Sequence, residues 1–365
     1  MQRNPFKPTA GKTPPIIVGR EDVIDEFVEG LDNGAGAPGR LMRISGVRGT
    51  GKTVLLEEVA RIASARGWIA LKEVATKGLC QRILEELTPR TKISHVKIEP
   101  TVAGISAGSL NIDRIGPTLK TAMEEGIDQS RNGLLITLDE VQDAVLDEVR
   151  TLAVTIQQVI GDDYDIAFVF AGLPSMVESV INGKTLTFLR RALPFDLKAV
   201  GIGEVSYSFG ETVEASGMEV DAVVADELAA ATYGYPFMIQ LVGYYAWQCA
   251  KRSHKTVVDE EEARRGIVMA RERFDAMVIE PALQRVPESG ITYLLAMASL
   301  GEVCSSGEVA ERVGKTPQQL SSTRSRLLRD SIIEAPAYGK VSFAIPYMDD
   351  YLNKHRAELE VEPGD

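Results

Sequence analysis

Cysteine, histidine and tryptophan are scarce in this chain. The three cysteines, Cys80, Cys249 and Cys304, lie far apart and form no metal-binding spacing. An odd, scattered set builds no disulfide framework and suits a reducing compartment, so a cytoplasmic location is expected. The three histidines, His95, His254 and His355, come without an H-E-x-x-H pattern or a cysteine partner, which argues against a zinc centre. No apolar run approaches a membrane span, and the Pro-rich start, Met1 to Pro15, lacks the apolar core of a signal peptide. No membrane partner is expected. Net positive charge is missing too: 40 Lys and Arg against 52 Asp and Glu leave −12. So acidic a chain is no general polyanion binder. Any nucleic-acid contact must be confined to a local basic face.

What is present describes a globular protein, with 44% hydrophobic and 25% charged residues. A length of 365 residues exceeds one ordinary core, so two or three domains are expected. Residues Gly46-Val47-Arg48-Gly49-Thr50-Gly51-Lys52-Thr53 complete the pattern G-x-x-x-x-G-K-[ST]. Leu41–Ser45 before it reads as a buried strand, and Thr53–Ala60 after it as a helix. Strand, glycine loop and helix are what phosphate binding needs. The glycines let backbone N–H groups curl inward, and the helix N-terminus adds partial positive charge. Lys52 is expected to reach the β- and γ-phosphates of ATP, and Thr53 to take one position on Mg²⁺.

Further strands are read at Trp68–Val74, Leu134–Leu138 and Ile166–Ala171, alternating with helices. That alternation predicts an α/β fold with a parallel sheet covered on both faces. Residues 88–117 fit no clear pattern, and a hairpin or mobile insert is expected there. After about Val200 the strands disappear. Helices over Val220–Tyr233, Pro236–Cys249 and Asp259–Met277 suggest a helical lid. Gly290–Leu300, Ser306–Val313 and Thr316–Leu328 read as three more, with Thr316 capping the last and Pro317 at its first position. A hairpin follows, Ile332–Ala335 with Val341–Ile345, which makes a winged helix-turn-helix. The expected division is 1–200 α/β, 201–286 lid, 287–355 winged helix and 356–365 acidic tail.

Leu134-Leu135-Ile136-Thr137-Leu138-Asp139-Glu140 is an apolar strand ending in two carboxylates. Asp139 fits a Mg²⁺ ligand, directly or through water, and Glu140 a base for the attacking water. Val18-Gly19-Arg20-Glu21, the phosphate loop, Leu138-Asp139-Glu140 and Ala171-Gly172-Leu173-Pro174-Ser175 then occur in an order that resembles the AAA+ and STAND-like ATPases. The nearest likeness is to the replication-initiator (origin-recognition) branch with bacterial and archaeal relatives. That resemblance implies a P-loop ATPase with Walker A and Walker B motifs, a helical lid and a C-terminal winged helix. It implies that Val18, Gly19 and Arg20 line an adenine pocket.

Two departures stand against rapid hydrolysis. The strand Ile166–Ala171 ends without the expected polar sensor, since the first hydroxyl after it is Ser175. The lid stretch Gly234-Tyr235-Pro236 resembles the G-x-P of signalling STAND ATPases, with Pro236 at the nucleotide, where many AAA+ members supply an arginine. Leu189-Arg190-Arg191-Ala192 lies where related ATPases carry an arginine finger, with Arg191 slightly preferred over Arg190. A surface basic pair explains it equally well.

In the winged region, Lys315, Arg324, Arg326 and Lys340 form the candidate DNA-binding set. A protein-binding module is the alternative. The aromatic group Tyr233, Tyr235, Phe237, Tyr244, Tyr245 and Trp247 reads as core packing. The functional expectation is a slow ATP-dependent switch binding ATP or ADP, with duplex DNA, a protein or a second copy of itself as partner. A signalling ATPase or nucleotide-stabilised adaptor is the other possibility.

Overall fold

The computed structural model describes residues 3–9, 12–88, 118–141, 146–182 and 187–360. The expected hairpin or insert at 88–117, with His95, lies outside the described residues except for Thr88, as do residues 361–365 of the acidic tail. The chain divides into two compact units. One comprises Arg20–Gly46 and Lys52–Leu197; the other comprises Met1–Gly19, Val47–Gly51 and Lys198–Asp365.

The first unit is built on five parallel strands: β1 (Leu41–Ser45), β2 (Ile69–Val74), β3 (Leu134–Asp139), β4 (Ile166–Gly172) and β5 (Leu193–Asp196). Their order is β2-β3-β4-β1-β5. β3 and β4 are buried along their whole length, which is why both read as unbroken apolar runs. Successive side chains of β3 serve opposite faces. Leu135 joins Phe27 of α1 (Glu21–Asp32) and Leu55 and Val59 of α2 (Lys52–Ala65) in one core. Ile136 and Leu138 join Ile83 of α3 (Leu79–Leu87), Met123 of α4 (Leu119–Gln129), Ile156 of α5 (Leu146–Gly161) and Val177 of α6 (Pro174–Ile181) in the other. This is the parallel α/β sheet anticipated from the alternating pattern and, with the loop Gly46–Thr53 after β1, the expected P-loop NTPase fold.

Two elements here escaped the sequence. β5 is a four-residue edge strand, Leu-Pro-Phe-Asp, whose proline is tolerated because it pairs on one side only, with β1. α6 is short and opens on Pro174.

The second unit carries α7 (Ile202–Ala215), α8 (Ala222–Ala230), α9 (Pro236–Arg252), α10 (Glu260–Phe274) and α11 (Glu280–Leu283). A π-turn over Asp275–Ile279 joins the last two. α7 was not anticipated, and Gly203 and Gly210 within it explain why. Strands do not vanish after Val200: β6 (Glu219–Val220) and β7 (Val257–Val258) form a short parallel pair. The polar-looking N-terminus also takes part. Phe6 is buried against Phe209 and Gly243, and Asn4 donates to the Tyr244 carbonyl at 2.9 Å.

The C-terminal part of this unit holds α12 (Glu288–Ala298), α13 (Ser306–Val313) and α14 (Ser321–Arg329) beside an antiparallel sheet of order β8-β10-β9. Its strands are β8 (Val303–Ser305), β9 (Ile333–Glu334) and β10 (Lys340–Phe343), and α15 (Met348–Lys354) packs on α12. Three helices and this sheet make a winged helix, with β8 as an unanticipated third strand. α14 also starts later than expected. Thr316 and Gln319 close a local turn, the Thr316 N–H donating to Gln319 Oε1 at 2.8 Å, and residues 317–320 turn before the helix begins at Ser321.

Candidate functional site

β1 ends at Ser45 and α2 begins at Lys52, so Gly46–Gly51 is the connecting loop. Gly49 and Gly51 take φ of 79° and 90°, a region where a side chain is strained, which is why glycine stands there. Lys52 is only 7% exposed, and its Nζ donates to the Gly46 carbonyl at 2.9 Å. The ammonium thereby closes the loop across six residues.

Asp139, at the end of β3, is 8% exposed. Its Oδ2 accepts from the Thr53 hydroxyl at 2.5 Å, and its Oδ1 accepts the Glu140 N–H at 2.8 Å. Two hard oxygens, one from the end of β3 and one from the first turn of α2, are therefore already neighbours. Among the described residues no group of three or more His, Cys, Asp or Glu could hold a metal by itself. A cation here would need oxygens from its ligand, as Mg²⁺ bound with phosphates usually has. Glu140 has φ of 55°, uncommon for a residue with a side chain. Held strain of this kind concentrates at functional positions.

Arg20 precedes α1 and is 9% exposed, in the unit that contains the sheet. Val18 and Val47 pack on the hydrophobic cluster of the other unit. Gly19 takes φ of 65°, and a Cβ there would meet Val200 at 2.8 Å. Thr50 is buried, with its hydroxyl donating to the Val47 carbonyl at 2.9 Å. Pro236 opens α9, 3.9 Å from where a Gly51 Cβ would lie.

Sequence reasoning assigned Tyr235 to packing alone. The phenol is 4% exposed and donates to the Arg48 carbonyl of the phosphate loop, 187 residues away. A Cβ on Gly49 would overlap the same ring. The G-Y-P triplet was the available signal, but it drew attention to its proline.

Arg190 and Arg191 end a 3₁₀ turn, Thr187–Arg191. Arg190 and Arg191 are both exposed, and Arg190 Nε donates to the Ile181 carbonyl at 3.1 Å. β4 ends at Ala171-Gly172 with no polar side chain.

The candidate DNA set divides in two. Lys315, Arg326 and Lys340 are exposed. Arg326 has only a 3.7 Å approach to Asp330 and a 3.5 Å bond to the Arg285 carbonyl. Arg324 is half-buried, with its Nε sealed from solvent. Burial pushes the Tyr293 phenol up, and the Arg324 charge partly offsets that rise.

A domain of unknown function, DUF8462, matches residues 276–352. No curated protein matches the chain in sequence. Solved structures share its fold over nearly its whole length. The ORC2 protein of Aeropyrum pernix, seen as ADPNP–ADP complexes, aligns with TM-score 0.64 at 16% identity over 96% of both chains. The Walker-type ATPase of Pyrococcus abyssi gives 0.64 at 15% identity, over 92% of this chain and 96% of its own. The CDC6P protein of Pyrobaculum aerophilum gives 0.51 at 15% identity over 96% of both. Among the described residues no helix is long and apolar enough to cross a membrane.

Proposed function

We propose that the chain is a slow ATP-dependent switch, in which Gly46–Thr53 binds Mg·ATP and a winged helix over 287–355 contacts duplex DNA. Residues 201–286 serve as a helical lid. The observation that carries this reading is the 2.5 Å pairing of Thr53 with Asp139 beside buried Lys52. When bound, Mg²⁺ would polarise the phosphoryl oxygens as a Lewis acid. Lys52 would hold phosphate oxygens through its ammonium. Glu140 would orient the attacking water and take its proton. Of the two exposed arginines, Arg191 is preferred as a finger toward a neighbouring copy, because Arg190 Nε is engaged by the Ile181 carbonyl.

Slow turnover is supported by the apolar end of β4 and by the absence of arginine at 234–236. The neighbour in fold from Pyrococcus abyssi is itself a Walker-type ATPase, and the Aeropyrum protein holds ADPNP and ADP. Calorimetry on Lys52→Ala should show a loss of roughly a hundredfold in ATP affinity, the scale of a lost charged hydrogen bond. Unchanged affinity would remove the loop as the site. The ATPase rate measured with and without duplex DNA tests the rest. No shift of DNA at low salt, with or without ATP, would move the winged helix to the second reading, a protein partner. That reading draws on the net charge of −12 and on exposed Val303 in β8.

A further inference from the structure

The turn Ala231–Tyr235 has contacts at both ends, and all of them lie within the second unit. At one end the Tyr235 hydroxyl donates to the Arg48 carbonyl. The ring is braced edge-on by Phe274, with centroids 5.5 Å apart. A trans peptide holds its C=O and the following N–H antiparallel. Fixing the Arg48 carbonyl toward Tyr235 therefore aims the Gly49 N–H the opposite way. Inward-pointing N–H groups are what a phosphate cradle needs.

At the other end the turn meets the winged helix. The Tyr347 hydroxyl donates to the Ala231 carbonyl at 2.7 Å. Tyr233 and Tyr347 stack edge to face at 5.0 Å. Both tyrosines have positive φ, 51° and 62°, so two uncommon backbone conformations face each other across this contact. Arg271 lies 4.2 Å over the Tyr347 ring and pairs with Asp350 of α15 at 2.6 Å.

The segment between the two ends has little freedom. Gly234 takes φ of 67°, its carbonyl accepts the Val200 N–H at 2.8 Å, and a Cβ there would overlap the Val200 carbonyl. The buried Thr232 hydroxyl donates to the Ala229 carbonyl at 2.6 Å and accepts the Gly234 N–H at 3.0 Å. Burial pushes both phenols upward, Tyr347 to about 12, so both remain donors at neutral pH. A short segment this constrained transmits displacement instead of absorbing it.

We propose that Tyr235 is a positioning residue that sets the Arg48–Gly49 peptide of the phosphate loop, and that the rigid turn Ala231–Tyr235 relays the state of that loop to the winged helix through Tyr347. This rests on the ATP-binding reading above and adds the residues of the coupling. Neither tyrosine need touch the reacting atoms.

The native cysteines are all buried, so Tyr338→Cys, at the fully exposed wing tip, places one reactive thiol for a fluorophore. Nucleotide affinity and the nucleotide-induced change in emission are measured together in that background. Tyr235→Phe should weaken ATP binding about three- to tenfold, the scale of one hydrogen bond. Tyr347→Phe should keep affinity within about twofold yet lose most of the emission change, as should Arg271→Gln, which withdraws the stacked cation. Native-like ATP affinity in Tyr235→Phe overturns the positioning role. An emission change that survives Tyr347→Phe and Arg271→Gln, or that never occurs although ATP binds, overturns the relay alone. Failure of the labelled wild-type chain to bind ATP overturns the function proposed above, and this inference with it.

Discussion

The end of the five-stranded sheet and the winged helix hold their candidate residues in opposite ways. At the sheet, Lys52 and Asp139 are buried and each is fixed by neighbours at 2.5–2.9 Å. On the winged helix, Lys315, Arg326 and Lys340 are exposed, and neither lysine is in an ion pair among the described residues. The contrast is the one that the two proposed chemistries would demand. Transition-state stabilisation needs groups set in place beforehand in a poorly solvated site. Attraction to a polyanion needs accessible charge and tolerates mobile side chains. Arg324 shows the boundary between the two: its Nε lies beneath the surface beside Tyr293, so it serves packing as much as charge.

The largest effect should come from the held side of this contrast. Glu140→Gln should lower turnover by about a thousandfold, the range of a lost general base, while ATP still binds. Equal single-turnover rates for variant and wild type would place Glu140 outside the chemistry. Asp139→Asn differs in kind, because it disturbs the Thr53 pairing and should weaken Mg²⁺-dependent binding as well.

A smaller effect is expected on the exposed side. Charge reversal of Lys315 together with Arg326 should weaken duplex binding about tenfold and flatten its salt dependence by about two units of slope. ATP affinity should not move. A salt slope identical to that of wild type would show that these side chains meet no phosphate.

The smallest effect concerns what holds the winged helix itself. α13 opens with a capping box: the Ser305 hydroxyl accepts the Glu308 N–H at 3.1 Å, and Glu308 accepts the Ser305 N–H at 2.7 Å. The Ser305 hydrogen bonds, side chain first and then backbone, hold the Glu308 carboxyl below its usual range. A depressed folded-state pKa adds stability above the unfolded value and loses it as pH falls through the folded one. Glu308→Ala should therefore melt slightly below wild type at neutral pH, with the gap narrowing in acid. A gap that stays constant with pH would assign the difference to helix propensity instead.

Much of the fold and part of the candidate site's geometry were legible in the chain. The loop Gly46–Thr53 is a local pattern: glycine where φ must be positive, lysine and threonine where a helix starts. β3 and β4 announced themselves as unbroken apolar runs because both of their faces are covered. Asp139 and Glu140 were marked by following such a run directly. The carboxylates needed no knowledge of distant residues, only of the strand that ends in them.

Other features were decided by contacts between residues far apart in the chain. β5 and β8 are too short to signal themselves and exist through pairing with β1 and β10. Phe6 looked like part of a polar tail until Phe209 and Gly243 covered it. Tyr235 had the composition of a core residue, and the G-Y-P triplet around it does not specify that its hydroxyl meets a carbonyl 187 positions earlier. By itself the sequence determined the phosphate loop, the acid-tipped strand and the alternation that makes a parallel sheet, because each is written in the conformational or burial preference of neighbouring residues. Only the tertiary structure decided which tyrosine grips the loop, which arginine is buried and which strands close the edges, because those depend on packing and hydrogen bonds that a local pattern does not encode.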